Sequence, residues 1–494
     1  MDTSVVVVGA GPTGLMTAGE LRLAGVDVVV LERLPARTGE SRGIGMTIRT
    51  VELFDQRALL PRLARRQGSA IEYGTQGHFG GVALDLSPLG ATHQAAKAVP
   101  QSVTEKTLES WARELGADIR TGHEVLSVEQ DNDSVRVRVR TADGDHTLTA
   151  RYLVGCDGGH SLVRKAAGFD FPGTPATTEL LLADLHGVDI APRRPGSQVA
   201  GGMAMSARLP DGAHRVIVSE RDAPPRRRSG PPAFAEVADA WKRLTGEDIS
   251  AARPVWVSAF GDAARLVTEY RRGRILLAGD AAHIHLPAGG QGMNAGIQDA
   301  MNLGWKLAAT LRGDSPAGLL DTYHSERHGV GRRLIDNTRA QSLLILGGAD
   351  AQPLREVLTE LAHHEDVTRR LGALVSGLDI RYDVGTGAHP LLGLRMPHLR
   401  LRRAGHDTSS TETLRTGRGV LLDLADSPRL RERAARWRDR VDIVTATAVG
   451  VPPDSPLTGT TAVLLRPDGH VAWAAPGSHH DLPAASARWF GPPR

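Results

Sequence analysis

The stretch that decides the fold is residues 5–14, Val-Val-Val-Val-Gly-Ala-Gly-Pro-Thr-Gly. Four consecutive β-branched residues are typical of a strand that is buried on both faces of a parallel sheet. The glycine-rich turn leads into a helical pattern with Leu15, Ala18 and Leu21, and a second apolar run follows at residues 26–31. These segments predict a complete βαβ unit within about 30 residues.

The spacing Gly9-x-Gly11-x-x-Gly14 between the strand and the helix predicts a dinucleotide site. The first glycine permits the turn, the second lets the backbone approach a pyrophosphate, and the third lets helix and strand pack closely. Free N–H groups at the helix N-terminus then face the phosphates. Glu32, at the end of the second strand, is placed to accept hydrogen bonds from the adenosine ribose hydroxyls. This motif alone leaves FAD and NAD open.

The composition excludes several classes of protein. Fifty-nine basic and 56 acidic residues give a net charge of +3, and aromatic residues make up only 4%, so a nucleic-acid surface is not expected. The single cysteine, Cys156, excludes internal disulfides and a CxxC redox pair. No apolar run reaches the ~18–20 residues of a membrane span, and no signal peptide is evident, so a cytoplasmic protein is expected. His283 and His285 lack a third ligand, so no metal is expected.

The rest of the chain suggests three domains. Strictly alternating residues at 134–140 and the Asp143-Gly144 turn predict a β-hairpin, and Ser102 with Glu105 predicts a capping box that opens a helix. We expect a discontinuous first domain at 1–171 and 271–345, with residues 71–100 contributing to the substrate side. A substrate-binding sheet domain follows at 172–270, then a helical segment and linker at 346–395, and a small α/β domain at 396–494 with a β–α–β–β pattern.

Two further motifs distinguish FAD from NAD. Residues 157–164 have the form Asp-Gly-x-x-Ser-x-x-Arg after a strand, and residues 279–294 have the form Gly-Asp-Ala-Ala-His, then Pro287, then Gly-Gln-Gly-Met-Asn. With the first motif, they resemble those of the FAD-dependent aromatic hydroxylases, single-component flavoprotein monooxygenases of the p-hydroxybenzoate hydroxylase fold. The resemblance covers residues 1–345. The last hundred residues resemble the thioredoxin-like tail of aromatic polyketide and phenol hydroxylases, here without CxxC.

This resemblance implies an α/β fold with a Rossmann-type FAD-binding domain, an inserted mixed β-sheet for the substrate, and a thioredoxin-like C-terminal domain. It also implies non-covalent FAD, NADPH or NADH as co-substrate, and O2. The residues then assigned to cofactor binding are Gly9, Gly11, Pro12, Thr13, Gly14, Glu32, Arg33, Arg42, Gln101, Asp157, Asp280, Pro287, Gly290, Gln291, Gly292, Met293 and Asn294.

Individual roles also follow from the resemblance. Asp280 would hold the ribityl or ribose hydroxyls, and the helix N-terminus at residues 290–294 would stabilise negative charge on the reduced flavin. Pro287 would lie near the flavin carbon C4a. Asp157, Arg164 and Arg42 would line the NAD(P)H path; the alternative for Asp157 is to cap the helix that follows it. No general base is evident.

The implied reaction is hydroxylation of a polycyclic aromatic, polyketide-type substrate through a flavin C4a-hydroperoxide, in bacterial secondary metabolism. Three alternatives remain open from the sequence: a monooxygenase that inactivates an antibiotic such as a rifamycin or a tetracycline, a phenol-catabolic monooxygenase, and a non-catalytic flavoprotein. The expected protein is a monomer or homodimer.

Overall fold

The computed structural model describes residues 1–67, 70–89, 93–221, 223–477 and 481–494. The helices are α1 (Pro12–Leu23), α2 (Ile48–Gln56), α3 (Leu60–Gln67), α4 (Gln101–Glu114), α5 (Leu162–Ala166), α6 (Phe234–Thr245), α7 (Gln291–Arg312), α8 (Thr322–Leu346), α9 (Gln352–Leu361), α10 (Glu365–Ser376), α11 (Pro428–Ala434) and α12 (Leu482–Phe490). Among the helices of these ranges, none combines the length and the hydropathy that crossing a membrane requires.

The strands are short, and most belong to three larger sheets. In chain order they are β1 (Thr3–Val8), β2 (Val28–Glu32), β3 (Gly45–Met46), β4 (Glu72–Gly74), β5 (Gln76–Phe79), β6 (Val82–Asp85), β7 (Ala95–Lys97), β8 (Asp118–Thr121), β9 (Glu124–Gln130), β10 (Val135–Thr141), β11 (Gly144–Gly155), β12 (Gly173–Thr174), β13 (Glu179–His186), β14 (Gln198–Val199), β15 (Gly202–Arg208), β16 (His214–Glu220), β17 (Arg253–Gly261), β18 (Ala264–Leu266), β19 (Arg271–Arg272), β20 (Ile275–Leu277), β21 (His283–Ile284), β22 (Arg400–Arg403), β23 (His406–Ser409), β24 (Gly419–Asp423), β25 (Val441–Thr445), β26 (Thr447–Val449), β27 (Ala462–Leu465) and β28 (Val471–Ala475).

The first sheet contains the predicted βαβ unit. Its central path runs β19-β20-β11-β1-β2-β8, and β1 pairs in parallel with both β2 and β11. Val5, Val6 and Val7 are fully buried, as expected for a strand covered on both faces. The predicted hairpin is present, but its second strand continues without a break into the parallel sheet. β11 therefore pairs antiparallel with β10 at its start and parallel with β1 at its end.

The second sheet has the order β14-β15-β16-β13-β17 and is antiparallel throughout, whereas a mixed sheet was expected. Helix α6 covers one face and buries Trp241 completely. Every strand pair of this sheet is antiparallel, including β13 with β17, which α6 connects to β16.

The predicted capping box at Ser102 and Glu105 is wrong. Helix α4 begins at Gln101, one residue earlier, with Pro100 as its N-cap and no side-chain cap. The Glu105 carboxylate instead accepts hydrogen bonds from Gln101 Nε2 and from Arg37 Nη1, both at 2.9 Å. The distant Arg37 thus determines what Glu105 does, which local spacing could not indicate.

The C-terminal unit is built on the sheet β25-β24-β27-β28, flanked by α11 and α12. β24 pairs in parallel with β25 and antiparallel with β27, which matches the predicted β–α–β–β pattern. Its core continues into the first domain, because Trp305 of α7 lies with its ring centroid 6.5 Å from that of Trp489 and 6.4 Å from that of Phe490.

Close packing of α7 against α1 directs the N-terminus of α7 towards the first glycine-rich turn. A Cβ placed on Gly296 would lie 2.2 Å from Thr13 Oγ1, and one placed on Gly304 would lie 2.5 Å from Glu20 Cβ. Glycine at both positions is therefore required by the approach of the two helices. The loops that follow β11 and β20 lie at the same edge of the parallel sheet as the glycine-rich turn that follows β1.

Candidate active site

The glycine-rich turn packs closely against the protein at Gly9 and Gly14 and faces free space at Gly11. Gly9 has φ +102°, and a Cβ there would lie 2.4 Å from the carbonyl oxygen of Cys156. A Cβ on Gly14 would lie 2.0 Å from the carbonyl oxygen of Gly9. A Cβ on Gly11 would meet nothing within 4 Å. Only Gly11 therefore borders free space, as expected where a pyrophosphate approaches the backbone.

Glu32 is held in a defined position next to this turn. Its carboxylate accepts hydrogen bonds from the backbone N–H groups of Ala10 and Leu34, each at 2.9 Å. Arg33 is exposed, whereas Arg37 donates to the carbonyl oxygen of Ala10 at 3.2 Å. Sequence reasoning missed Arg37, because its carboxylate partners on α4 are some seventy residues away.

The second glycine-rich loop presents polar groups to the exterior. Asp280 lies in a single 3-10 turn, Gly279–Ala281, and its exposed carboxylate makes no hydrogen bond or ion pair with any residue the structure describes. Its Oδ1 lies 3.9 Å from where a Cβ on Gly292 would be, so it borders the first turn of α7. Pro287 and Gly290 are also exposed. This unpaired carboxylate fits a donor supplied by a ligand.

Helix α7 begins at Gln291 with Gly290 as its N-cap, in the left-handed conformation at φ +66°. Asn294 pins this start, because its Nδ2 donates to the Gly290 carbonyl at 2.7 Å and its Oδ1 accepts from the Thr47 N–H at 3.0 Å. Gln291 is buried, while Gly292 and Met293 are half-buried. The first turn of a helix has N–H groups with no partner in the helix and carries a partial positive charge, which suits an electron-rich group.

A buried ionic pair lies directly beneath this loop. Asp299 accepts hydrogen bonds from the Gly279 N–H at 3.0 Å, His283 Nε2 at 2.8 Å and Arg327 Nε at 2.6 Å. Burial raises a carboxyl pKa, but the charges of Arg327 and His283 hold the pKa of Asp299 below its usual value. His283 therefore has a structural partner. Sequence reasoning missed Asp299 and Arg327. For Asp299 a signal was available, because it lies about two helical turns after Gln291, the first residue of the same helix.

The Asp157 carboxylate is hydrogen-bonded to residues of the loop and helix that directly follow it. Its carboxylate accepts hydrogen bonds from the Ser161 hydroxyl at 2.6 Å and from the Val163 N–H at 3.0 Å, and Ser161 itself caps α5. This geometry corresponds to the capping alternative. Arg164 is buried and donates to the carbonyl oxygens of Ala281 and Gly159 at 3.0 and 2.8 Å, so it ties the second motif to the third. A role for these residues in the NAD(P)H path stays a prediction.

Arg42 and Gln101 lie together at the junction of the first two sheets. The Gln101 N–H donates to the Gly43 carbonyl at 2.9 Å, and the Arg42 side chain is exposed. The Arg42 carbonyl accepts from Arg215 Nη1 at 2.9 Å, and Arg215 is buried against Asp184 at 2.8 Å. Sequence reasoning missed this anchor, because an arginine on an alternating strand carries no motif.

Cys156 lies behind the glycine-rich turn, and burial raises the pKa of its thiol, consistent with an inert core residue. His363 and His364 are exposed, whereas His479 and His480 lie outside the described residues. One group of potential metal ligands, Asp55, His93 and His398, has its ligand atoms within 4.8 Å. Each already has a hydrogen-bond partner: Asp55 bonds His93 and His398 bonds Thr411, both at 2.9 Å.

Three loops thus meet at the carboxyl ends of β1, β11 and β20, and this is the edge of a parallel sheet where ligands bind. A family model of the FAD binding domain matches residues 2–338, and one of the aromatic-ring hydroxylase C-terminal domain matches residues 389–493. The chain is a FAD-dependent aromatic-ring hydroxylase. Its cofactor is FAD, its reaction consumes O2 and NAD(P)H, and its fold is the α/β arrangement expected from the sequence.

The similarity to known proteins extends over essentially the full length of the chain. The crystal structure of CabE, an aromatic hydroxylase from angucycline biosynthesis, is 60% identical with a TM-score of 0.97, and the match covers 100% of both chains. Anhydrotetracycline monooxygenase from Streptomyces rimosus is 43% identical over 505 residues, 100% of both chains. Rifampicin monooxygenase from Streptomyces venezuelae is 43% identical over 496 residues, 99% of this chain and 98% of that one.

Proposed function

We propose that this hydroxylase inserts one oxygen atom into a polycyclic aromatic polyketide in bacterial secondary metabolism. The observation that carries the proposal is its full-length similarity to an aromatic hydroxylase of angucycline biosynthesis at 60% identity. The reaction needs NADPH or NADH, which supports a cytoplasmic enzyme. Since one dinucleotide fingerprint is present in the sequence and FAD takes it, NAD(P)H is expected to bind transiently without a domain of its own.

The residues at the sheet edge fit FAD in distinct ways. Gly11 leaves room for the pyrophosphate, Glu32 offers a fixed carboxylate for the ribose hydroxyls, and Asp280 offers an unpaired carboxylate for hydroxyls of the ribityl chain or ribose. When bound and reduced, the flavin supplies the redox chemistry, by which one atom of O2 reaches the substrate and the other leaves as water.

The protein contributes charge stabilisation and placement. The first turn of α7, held by Asn294, would direct its N–H groups towards the flavin and would stabilise the negative charge that develops there on reduction. Pro287, which is exposed in this loop and has no backbone N–H to donate, would lie near the reacting carbon of the flavin. Arg42 and Gln101 would contact the cofactor from the junction with the second sheet. That sheet would cover the substrate and exclude water.

The test is a substrate screen. Purified protein containing FAD is mixed with polycyclic phenols and quinones, and the oxidation of NADPH and NADH is followed with product mass. We expect one compound class to accelerate oxidation and to gain one oxygen atom. If no compound of a broad panel stimulates oxidation, the proposed substrate class is wrong.

The second candidate function is inactivation of an antibiotic. It is favoured by the similarity to the rifampicin monooxygenase of Streptomyces venezuelae. Adding rifampicin and tetracycline to the same screen separates the two functions: an antibiotic oxidised with higher kcat/KM than any biosynthetic polyketide would favour inactivation.

A further inference from the structure

The C-terminal domain contacts the FAD-binding domain through the packing of Trp489 and Phe490 on Trp305. It also contacts that domain through the turn Arg466–His470, which joins β27 to β28. Buried arginines of the first domain bind its backbone: Arg49 donates to the Asp468 carbonyl at 2.8 Å, and Arg57 donates to the Pro467 carbonyl at 2.9 Å. A Cβ on Gly469 would lie 2.7 Å from Gln56. The turn is therefore sealed inside the first domain; we call it the docking turn.

The side chains of the docking turn meet α8. Arg466 forms two hydrogen bonds with the Glu326 carboxylate, at 2.6 and 2.8 Å, and both residues are buried. The next residue of α8 is Arg327, which binds Asp299 beneath the Gly279–Ala281 loop. Two neighbouring residues of one helix thus contact the C-terminal domain and the support of the FAD loop.

A second route runs through Tyr382, in the segment between α10 and β22. Its ring lies 4.3 Å, centroid to centroid, from the ring of His470 in the docking turn. Its hydroxyl accepts a hydrogen bond from Arg327 Nη1 at 3.0 Å. Arg327 Nε in turn bonds Asp299, and Asp299 accepts the Gly279 N–H. Each contact is buried and within hydrogen-bond or ring-packing distance.

We infer that the docking turn positions the FAD-binding loop through the chain His470–Tyr382–Arg327–Asp299–Gly279. Tyr382 and Arg327 are positioning residues in this inference, since both are buried and act on the loop through Asp299. Asp280 follows Gly279 directly, so a shift in the Gly279 N–H displaces the carboxylate proposed to bind FAD. This inference rests on the proposed cofactor roles and gives the C-terminal domain, which lacks a CxxC pair, a part in holding FAD.

The test compares two buried hydrogen bonds. Tyr382→Phe removes the hydroxyl that accepts from Arg327 with almost no change in volume. The control Trp437→Phe removes the bond from Trp437 Nε1 to the Gly491 carbonyl, 2.8 Å, which lies within the C-terminal domain and outside the chain of contacts. The FAD dissociation constant is measured from the fluorescence of flavin released on diluting the holoenzyme, and Tm is measured alongside.

Tyr382→Phe is expected to raise the FAD dissociation constant about three- to tenfold, the effect of one lost hydrogen bond, with kcat at saturating FAD unchanged. Trp437→Phe is expected to lower Tm without changing FAD affinity. Wild-type affinity in Tyr382→Phe, or an equal loss in both variants, overturns the inference. If Tyr382→Phe does not fold, Arg327→Lys is used, which keeps the charge beside Asp299 but cannot also reach Tyr382; it must weaken FAD binding, and wild-type affinity again overturns the inference.

These outcomes are separate from the fate of the proposed function. Wild-type protein that binds FAD but hydroxylates no polycyclic substrate contradicts the proposed function alone. Wild-type protein that hydroxylates, together with a Tyr382→Phe variant of unchanged FAD affinity, contradicts this inference alone.

Discussion

The FAD-facing loops and the docking turn are built from similar residues and differ in how those residues are paired. Both contain charged side chains and glycine beside a buried strand. Asp280 and Arg42 at the first place are exposed, and within the described residues neither side chain has a hydrogen-bonding partner. Arg466 and Asp468 at the second are buried and bound to each other and to their surroundings. The charges of Asp280 and Arg42 are thus free to meet a ligand, whereas those of Arg466 and Asp468 are already used in the domain contact.

The ion pairs around the docking turn also shift the pKa values of Lys306 on α7 and Glu326 on α8, which pack against it. Burial lowers the pKa of Lys306 to about 8, even though Glu326 lies 2.7 Å away. Burial raises a carboxyl pKa, yet Arg466 and Lys306 bring that of Glu326 down to about 2. In this buried cluster each charge offsets the desolvation cost of another, so removing one member is expected to destabilise the rest. Its members are Lys306, Glu326, Arg466 and Asp468.

The largest effect is expected from Glu326→Gln, which removes the carboxylate that pairs with Lys306 in a buried site and leaves Arg466 with Asp468 alone. Removing one member of a buried ion pair costs about 3–5 kcal/mol of unfolding free energy. Urea denaturation measures it. Asp407→Asn is the control, because Asp407 pairs with Arg402 on the surface at 3.0 Å and should cost less than about 1 kcal/mol. Similar small losses in both variants would remove the contrast drawn between buried and exposed charge.

The next largest expected effect is a dependence of the free energy of unfolding on pH. Burial lowers the pKa of His470 from 6.5 to about 4. As the pH falls, the unfolded chain therefore takes up a proton on His470 near pH 6.5, which the folded chain excludes. Above that pH this residue does not lower the free energy of unfolding, so stability is at its full value. The free energy of unfolding decreases as the pH falls from 6.5 towards 4, by up to about 3 kcal/mol.

His470→Gln should reduce this acid-induced loss, measured by urea denaturation at about pH 7 and about pH 5. His363→Gln, at an exposed position, should leave it unchanged. An identical loss in wild type and His470→Gln would mean that other groups carry the dependence.

At the FAD-facing loops, Gly11→Ala and Gly14→Ala should behave differently. The new methyl group at Gly11 enters free space, so the FAD-free fold persists while FAD affinity falls roughly a hundredfold. The methyl group at Gly14 meets the Gly9 carbonyl and should disrupt folding as well as binding. Flavin content and thermal unfolding of the FAD-free proteins distinguish the two. Full FAD occupancy in Gly11→Ala would show that this turn does not hold the pyrophosphate.

The smallest effect is expected from Asp280→Asn, which keeps the size of the side chain and removes its charge. Hydrogen bonds to a charged acceptor are stronger, so FAD affinity should fall about tenfold. Because Asp280 makes no hydrogen bond or ion pair with described residues, the stability of the FAD-free protein should not change. Asp143→Asn, in the exposed hairpin turn, is the control for both measurements. A loss of stability without loss of FAD affinity would assign Asp280 to the fold.

The sequence predicted those features whose cause is local. The βαβ unit, the start of α7 at Gln291 and the turn at Gly144 follow from residue patterns within a few positions. It did not predict Arg37 on Glu105, Arg215 on the Arg42 carbonyl, or Asp299 with Arg327, since these partners are far apart in the chain. Unremarkable arginines acquire their roles only when packing removes water around them.

The position of the docking turn near the end of the chain has a consequence for synthesis. When the ribosome has completed residue 345, the FAD-binding motifs are all present, but Arg49 and Arg57 still lack the carbonyl oxygens of residues 467 and 468. A chain truncated there would leave the Nη2 donor of Arg49 without its acceptor and the Trp305 surface of α7 uncovered. We expect such fragments to be unstable and readily degraded, so that only completed polypeptides accumulate as flavin-loaded enzyme.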